Sequence, residues 1–189
     1  MRNLLKHFGY ISVAMSETTA QQLYQDIDYL GSASAFAGEM LATLNKGTLF
    51  DVFYHYEIEE LCQFMHCFSA PAGTVLLKEG EEGDHLIIIM AGKVEVRKHD
   101  LAGKVQSIAA VGQGSVLGEM SLIDGEHRFA SCIAVEPTMF AVLSRTDLNE
   151  IMALHPRLAN KFLIMLLQMM VSRLRDTGMR VFSFTKLIV

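Results

Sequence analysis

Residues 118–132 read GEMSLIDGEHRFASC. Gly112 and Gly114 lead into the stretch and Gly118 opens it. Glu119 and Arg128 stand nine positions apart, separated by a short apolar piece and an Asp-Gly turn. One acid and one guanidinium in so apolar a setting are either surface groups of no consequence or two groups facing one small polar, anionic object. The sequence on either side decides between these.

Working outward, Pro71 and Gly73 break the chain, and glycines recur at 80, 83, 92, 103, 112, 114, 118 and 125. Between them lie short β-rich pieces: TVLLK, HLIIIMAG, KVEVRK and VQSIAAV before the quoted stretch, ASCIAV and TMFAVLS after it. About eight short strands with glycine turns describe a small antiparallel barrel or jelly roll. A continuous run such as LIIIM marks a strand buried on both faces, and no Rossmann-type strand–helix alternation is present. Ahead of the strands, EIEELCQFM places Ile58, Leu61, Cys62 and Met65 on one helical face. Behind them, Ser144 and Asp147 offer a capping box. Pro156 suits the first turn of a long helix running to about Thr177. Leu158, Phe162, Met165, Met169 and Ser172 form a heptad-like seam on that helix, and Leu163, Leu166, Met170 and Leu174 a second stripe beside it. The helix is expected to pack on the barrel and also to pair with a second copy of the chain. Residues 17–45 contain no proline, and Leu23, Ile27 and Leu30 recur at helical spacing, so this zone reads as two helices joined by a break near Gly31.

The order of elements and motifs resembles the cyclic nucleotide-binding domain family, in its catabolite-activator or Crp-Fnr-like form, over about residues 47–178. Pro71-x-Gly73, the Glu-Gly-x-x-Gly-Asp turn at 79–84 and Gly92-Lys93-Val94 support the likeness. Its strongest part is the phosphate-binding cassette, matched by Gly118, Glu119, Arg128, Ala130 and Ser131. The resemblance implies a mainly β fold with flanking α: an eight-stranded antiparallel β-roll with N-terminal helices and a long C-terminal helix. Its expected parts are an N-terminal helical extension (1–45), the roll (46–155), a dimerisation or lid helix (156–178) and a tail (179–189). Residues 1–14 are read as dispensable or as a mis-called start before Met15.

The implied ligand is a cyclic nucleotide, with Gly118, Glu119, Met120, Ser121, Arg128, Phe129, Ala130, Ser131 and Thr177 as its site. A cyclic phosphate carries one negative charge, and burying it unpaired costs several kcal/mol. A helix starting near Met120 offers backbone N–H groups, and Arg128 a permanent countercharge with a planar fork. Glu119 is the acceptor for the ribose 2′-hydroxyl, and Gly118 lets the ligand approach the backbone. Phe129 stands where relatives often carry Ala, Ser or Thr; it either stacks on a purine or simply packs. Thr177 falls near the hydroxyl that relatives offer to adenine, with Gly178 where a second might stand. The reading is a stand-alone cAMP sensor; cGMP, or a member that has changed or lost its effector and serves as a dimeric scaffold, are the alternatives.

Composition bounds the rest. The chain has 189 residues, 51% of them hydrophobic, and net charge −5, which argues against nucleic acid. The residues after Gly178 leave no room for a helix-turn-helix unit. The three cysteines, Cys62, Cys67 and Cys132, lack metal-site spacing and read as reduced thiols of a cytoplasmic protein. Phe162–Val171 is too short an apolar run to cross a bilayer, which takes about 20 residues. The N-terminal MRNLLKHFGYISVAM imitates a signal peptide without an A-x-A site. GQGSVLG at 112–118 lacks a strand–helix context, and His85, His99 and His127 have no Ser or Cys at telling spacing. No metal, membrane or enzymatic role is expected.

Overall fold

The computed structural model describes residues 15–24, 27–44 and 52–186; the expectations for residues 1–14 lie outside them. In chain order come α1 (Glu17–Leu23), β1 (Asp28–Ser32), a 3-10 turn (Ala33–Phe36), α2 (Ala37–Leu44) and α3 (His55–Cys62). The strands β2 (His66–Ala70), β3 (Val75–Leu77), β4 (His85–Ala91), β5 (Lys93–His99), β6 (Val105–Gly112) and β7 (Val116–Leu117) follow. After them lie α4 (Glu119–Asp124), β8 (Ser131–Ala134), β9 (Thr138–Ser144), α5 (Arg145–Leu154) and α6 (Pro156–Lys186).

The strands form two antiparallel sheets, β1-β2-β9-β4-β7 and β3-β8-β5-β6, so the β-roll with flanking helices is the fold. Its first sheet is buried on both faces, and the pleat explains the unbroken apolar run of β4. Leu86, Ile88 and Met90 face outward into a cluster with the helices, whereas Ile87 and Ile89 face the roll's interior with Phe68, Phe140 and Val142. The outward cluster takes Leu158, Phe162, Met165 and Met169 from α6 and Ile58, Leu61 and Cys62 from α3.

Four expectations are corrected. Nine strands are described rather than eight. The ninth is β1, inside the zone read as two helices: residues 28–32 add to the open edge of β2, with a register shift at Gly31, whose φ of 119° breaks a helix. Leu23 and Ile27 do pack on the interior, but Leu30 sits on β1 and is exposed, so their helical spacing was fortuitous. The helix read from EIEELCQFM runs His55–Cys62, and the chain has left it before Met65 reaches the core. The long helix continues through the expected tail to Lys186.

The heptad-like seam of α6 packs on the roll, as expected of one face of this helix. Leu158, Phe162, Met165 and Met169 are buried against the roll together with Leu166 of the second stripe, whereas Leu163 leans on it and Met170 is half-buried. A third stripe, Ile164, Leu167, Val171 and Leu174, stands exposed at steps of three, four and three. The Ser144–Asp147 capping box forms, and Asp147 also accepts a bond of 2.7 Å from the Met15 amide, fastening the start of α1 to that of α5.

This partition predicts opposite outcomes on two faces of one helix. Phe162→Ala should lower the unfolding free energy by about 3–5 kcal/mol through the cavity it leaves. Leu167→Ala should change the stability of the monomer by no more than about 0.5 kcal/mol, read from urea denaturation at protein concentrations too low for α6 to pair.

Candidate functional site

The site lies where β7 runs into α4. Gly118 takes a left-handed turn (φ 80°, ψ 6°), α4 follows at once, and Gly125 ends it in the same conformation. Leu122 anchors α4 in the helix-side cluster. The chain then returns through Arg128 to β8. Arg128 is held by its backbone to the 79–84 turn: its amide donates to the Glu81 carbonyl at 2.8 Å, and its carbonyl accepts from the Gly80 amide at 2.9 Å.

Only 5% of Arg128 is exposed. Nη1 donates to the His85 carbonyl at 2.7 Å and to the Gly118 carbonyl at 3.0 Å. Nη2 is buried and has no hydrogen-bond partner among the described residues. Burial pulls the arginine's pKa down from its ordinary value, though a guanidinium stays charged. Two glycines make room for it. A Cβ on Gly83 would stand 2.6 Å from Arg128 Nε and 2.6 Å from Ser121 Cβ, and one on Gly118 2.6 Å from Arg128 Nη1.

Glu119, 3% exposed, is paired with Arg173 Nη1, and Arg173 Nη2 donates to the Val116 carbonyl at 2.7 Å. Arg173 thus ties α6 to both ends of the β7–α4 turn. It was not singled out in the sequence.

The other expected residues separate. Ser121 is buried, and its carbonyl accepts from Arg145 Nη2 at 2.5 Å. Ala130 is buried, whereas Met120 is exposed. Ser131 turns its hydroxyl to the Glu79 amide at 3.0 Å and so braces the 79–84 turn. Phe129 is half-exposed; the Lys98 ammonium lies 4.2 Å from its ring centroid and bonds both the Phe129 carbonyl and Glu79. Hydrogen bonds from His99 and then Lys98 hold the Glu79 carboxyl down at about 2. Thr177 is exposed, and its hydroxyl bonds back to the Arg173 carbonyl at 2.8 Å rather than toward the cassette.

Among the described residues, no group of three or more His, Cys, Asp or Glu is placed to hold a metal. Near Cys62 and Cys67, His66 is engaged by the Tyr29 hydroxyl and the Met15 carbonyl. Burial pushes the Cys62, Cys67 and Cys132 thiols up to about 12, which makes them poor nucleophiles. What the arrangement offers is a buried cation with one unsatisfied nitrogen and, across Gly118, a carboxylate on the same turn. That pair suits a small ligand carrying an anionic and a hydroxyl group on one rigid ring.

The family model described as the cyclic nucleotide-binding domain matches residues 67–155. A crystal structure of a cyclic nucleotide-binding domain from Methylobacillus flagellatus KT is 41% identical, with a TM-score of 0.76, over 90% of this chain and 93% of that one. The catabolite activator protein structure from Thermus thermophilus is 28% identical, with a TM-score of 0.63, over 70% of this chain and 61% of that one. By sequence, the cyclic AMP receptor protein of Thermus thermophilus is 32% identical over 58% of this chain and 49% of its own length. A cAMP-dependent protein kinase regulatory subunit of Aspergillus fumigatus is 29% identical over 51% of this chain and 23% of its own. The chain therefore spans about half or less of the length of these two curated relatives.

The glycine cradle gives a test that needs no ligand. Gly83→Ala, where no positive φ complicates the change, forces a methyl against Arg128 and Ser121 and should cost roughly 1–3 kcal/mol of stability. Gly112→Ala meets only a carbonyl at 3.6 Å; it should be neutral or slightly stabilising, as measured by chemical denaturation.

Proposed function

The chain belongs to the cyclic nucleotide-binding domain family, and we propose that it is a cAMP-responsive regulatory protein whose ligand is held between Arg128 and Glu119. The observation that carries this reading is the unpartnered Arg128 Nη2, a buried cationic donor with no acceptor of its own. An isolated buried donor costs about 1–3 kcal/mol, more when charged. A phosphate oxygen relieves that cost. Glu119, paired with Arg173, accepts the ribose 2′-hydroxyl, and the bare backbone of Gly118 gives the sugar–phosphate room between them.

Adenine over guanine is supported by two things. Two relatives are cAMP proteins, a cyclic AMP receptor protein and a cAMP-dependent protein kinase regulatory subunit. Phe129 also brings no hydroxyl for a guanine edge and leaves its ring half-exposed beside the arginine. The protein acts by binding and by presenting altered surfaces, not by catalysis. No helix among the described residues is long and apolar enough to cross a membrane. The three free thiols fit a reducing, cytoplasmic compartment.

The partner of α6 is proposed to be a second copy. Ile164, Leu167, Val171 and Leu174 extend the three-four spacing of a two-stranded coiled coil along a helix whose last turns outrun the roll. Residues 156–178 then serve both the core and the dimer, through different faces. Because Arg173 sits on that helix and grips Glu119, the ribose hydroxyl enters a bond already shared with α6. Ligand binding and helix position are coupled through it.

Thermal unfolding with cAMP, cGMP and AMP in parallel is the primary test. Ligand at about 100 times its dissociation constant stabilises by roughly 2.7 kcal/mol, a shift of about 5–10 °C for a chain of this size. The expected result is a shift with cAMP that exceeds that with cGMP and is absent with AMP. Arg128→Ala should weaken cAMP at least tenfold, since it removes the cation buried at the phosphate position. No shift with any nucleotide at millimolar concentration would leave the scaffold reading standing. The dimer has its own test: Leu167→Lys combined with Leu174→Lys should convert dimer to monomer in sedimentation without unfolding the roll.

A further inference from the structure

We propose that Tyr24 and His85 are positioning residues for the Arg128 guanidinium, so that the α1 segment is part of the ligand-binding unit; this rests on Arg128 being the phosphate-binding arginine. In sequence, residues 17–45 read only as part of a helical extension. In the structure, α1 lies on the roll's interior: Ala20 is fully buried there, with Leu23, Tyr24 and Ile27 packed against the same cluster. The Tyr24 ring meets Phe68, Phe140 and His85 edge-on at centroid distances of 5.2, 5.6 and 5.8 Å. Its hydroxyl is 3.0 Å from His85 Nε2, and His85 Nδ1 is 2.9 Å from the Asp84 carboxylate.

The bonding pattern assigns the protons. A carboxylate only accepts, so Nδ1 carries the hydrogen and Nε2 accepts from the tyrosine hydroxyl. Burial favours the neutral imidazole that this pattern needs, and the His85 bond lowers the Asp84 pKa. The His85 side chain is thereby fixed at both nitrogens. Its own carbonyl, at the start of β4, accepts the 2.7 Å bond from Arg128 Nη1.

His85 is the last residue of a three-residue strap across the guanidinium. Gly83 lies flat against Arg128, and the Asp84 carbonyl accepts from the Arg145 amide at 2.6 Å. The strap is fastened by Arg145 at one end and by Tyr24, through the imidazole, at the other. With Nη1 committed to the strap, Nη2 is the nitrogen left for a ligand. Without the Tyr24 hydroxyl the imidazole loses one of its two anchors, the His85 carbonyl loosens, and the fork wanders from the phosphate position. Precision at a binding group depends on such supporting contacts.

The test is a double-mutant cycle in the full chain, with cAMP titrated calorimetrically. Tyr24→Phe keeps the ring and its packing and removes one hydroxyl. It should weaken cAMP about three- to tenfold while the ligand-free unfolding temperature moves by no more than about 2–4 °C. In an Arg128→Ala background the same change should cause no further loss, because the group it positions is gone. In the ligand-free protein, Tyr24→Phe should also shift or broaden the Arg128 guanidinium resonances in nitrogen-15 spectra. Wild-type affinity in Tyr24→Phe, or an equal loss in both backgrounds, would overturn the positioning role. Failure of the wild-type chain to bind cAMP would instead remove the function on which the role rests, with the guanidinium spectra still reporting whether Tyr24 holds Arg128.

Discussion

A full positive charge, 5% exposed and with no carboxylate in contact among the described residues, is the constraint around which this fold is arranged. Removing a guanidinium from water without a counterion costs several kcal/mol even after the surroundings relax. Two carbonyls, from His85 and Gly118, offset part of that cost, and Nη2 is left with nothing. The arrangement is unfavourable for a merely structural arginine, which would reach solvent or meet an acid. It suits one that waits for an anion.

Much of the local backbone follows from housing that charge. Gly83 and Gly118 stand where any side chain would strike the guanidinium, and Gly118 must in addition hold a left-handed turn to start α4 directly after β7. Ser131 and Arg128 both bond the 79–84 turn, one by its hydroxyl and one by its backbone, and so lock the strap to the strand that carries the arginine onward. The strap enters the first sheet at His85, the terminal residue of β4, whose carbonyl is one of the two partners of the guanidinium.

What the sequence disclosed divides along physical lines. Local turn chemistry was readable: the glycines, the Ser144–Asp147 cap and the start of α6 at Pro156 all appear where their backbone preferences placed them. Gly118 and Arg128, close in the chain, are also in contact in space, and Glu119 follows directly on the same turn. Long-range choices were not readable. β1 is a strand only because β2 offers it an open edge, and nothing within residues 28–32 announces that edge. Two apolar stripes on α6 looked alike in sequence, and only the position of the roll decides that the first is core while the second is buried at Leu166 and exposed at Leu174. Arg173 and Tyr24 reach the site from 54 and 61 residues away, to Glu119 and His85 respectively, distances over which spacing carries no signal.

The two charged groups at the β7–α4 turn differ in a way that bears on how a signal would leave the site. Arg128 is committed to the roll and has spare bonding capacity, so an anion can be added there without breaking anything. Glu119 is committed to α6 through Arg173 and accepts with lone pairs that the arginine does not exhaust. A ligand that only filled the arginine would stabilise the roll and leave α6 where it is. One that also donates to Glu119 changes the bond holding the helix, and affinity must then differ between the helix positions, which is the requirement for any ligand-driven shift. By reciprocity, whatever fixes the exposed stripe of α6, a second copy included, must alter affinity at the turn by the same factor. On the proposed reading the hydroxyl, not the phosphate, carries the message, and the phosphate supplies the grip.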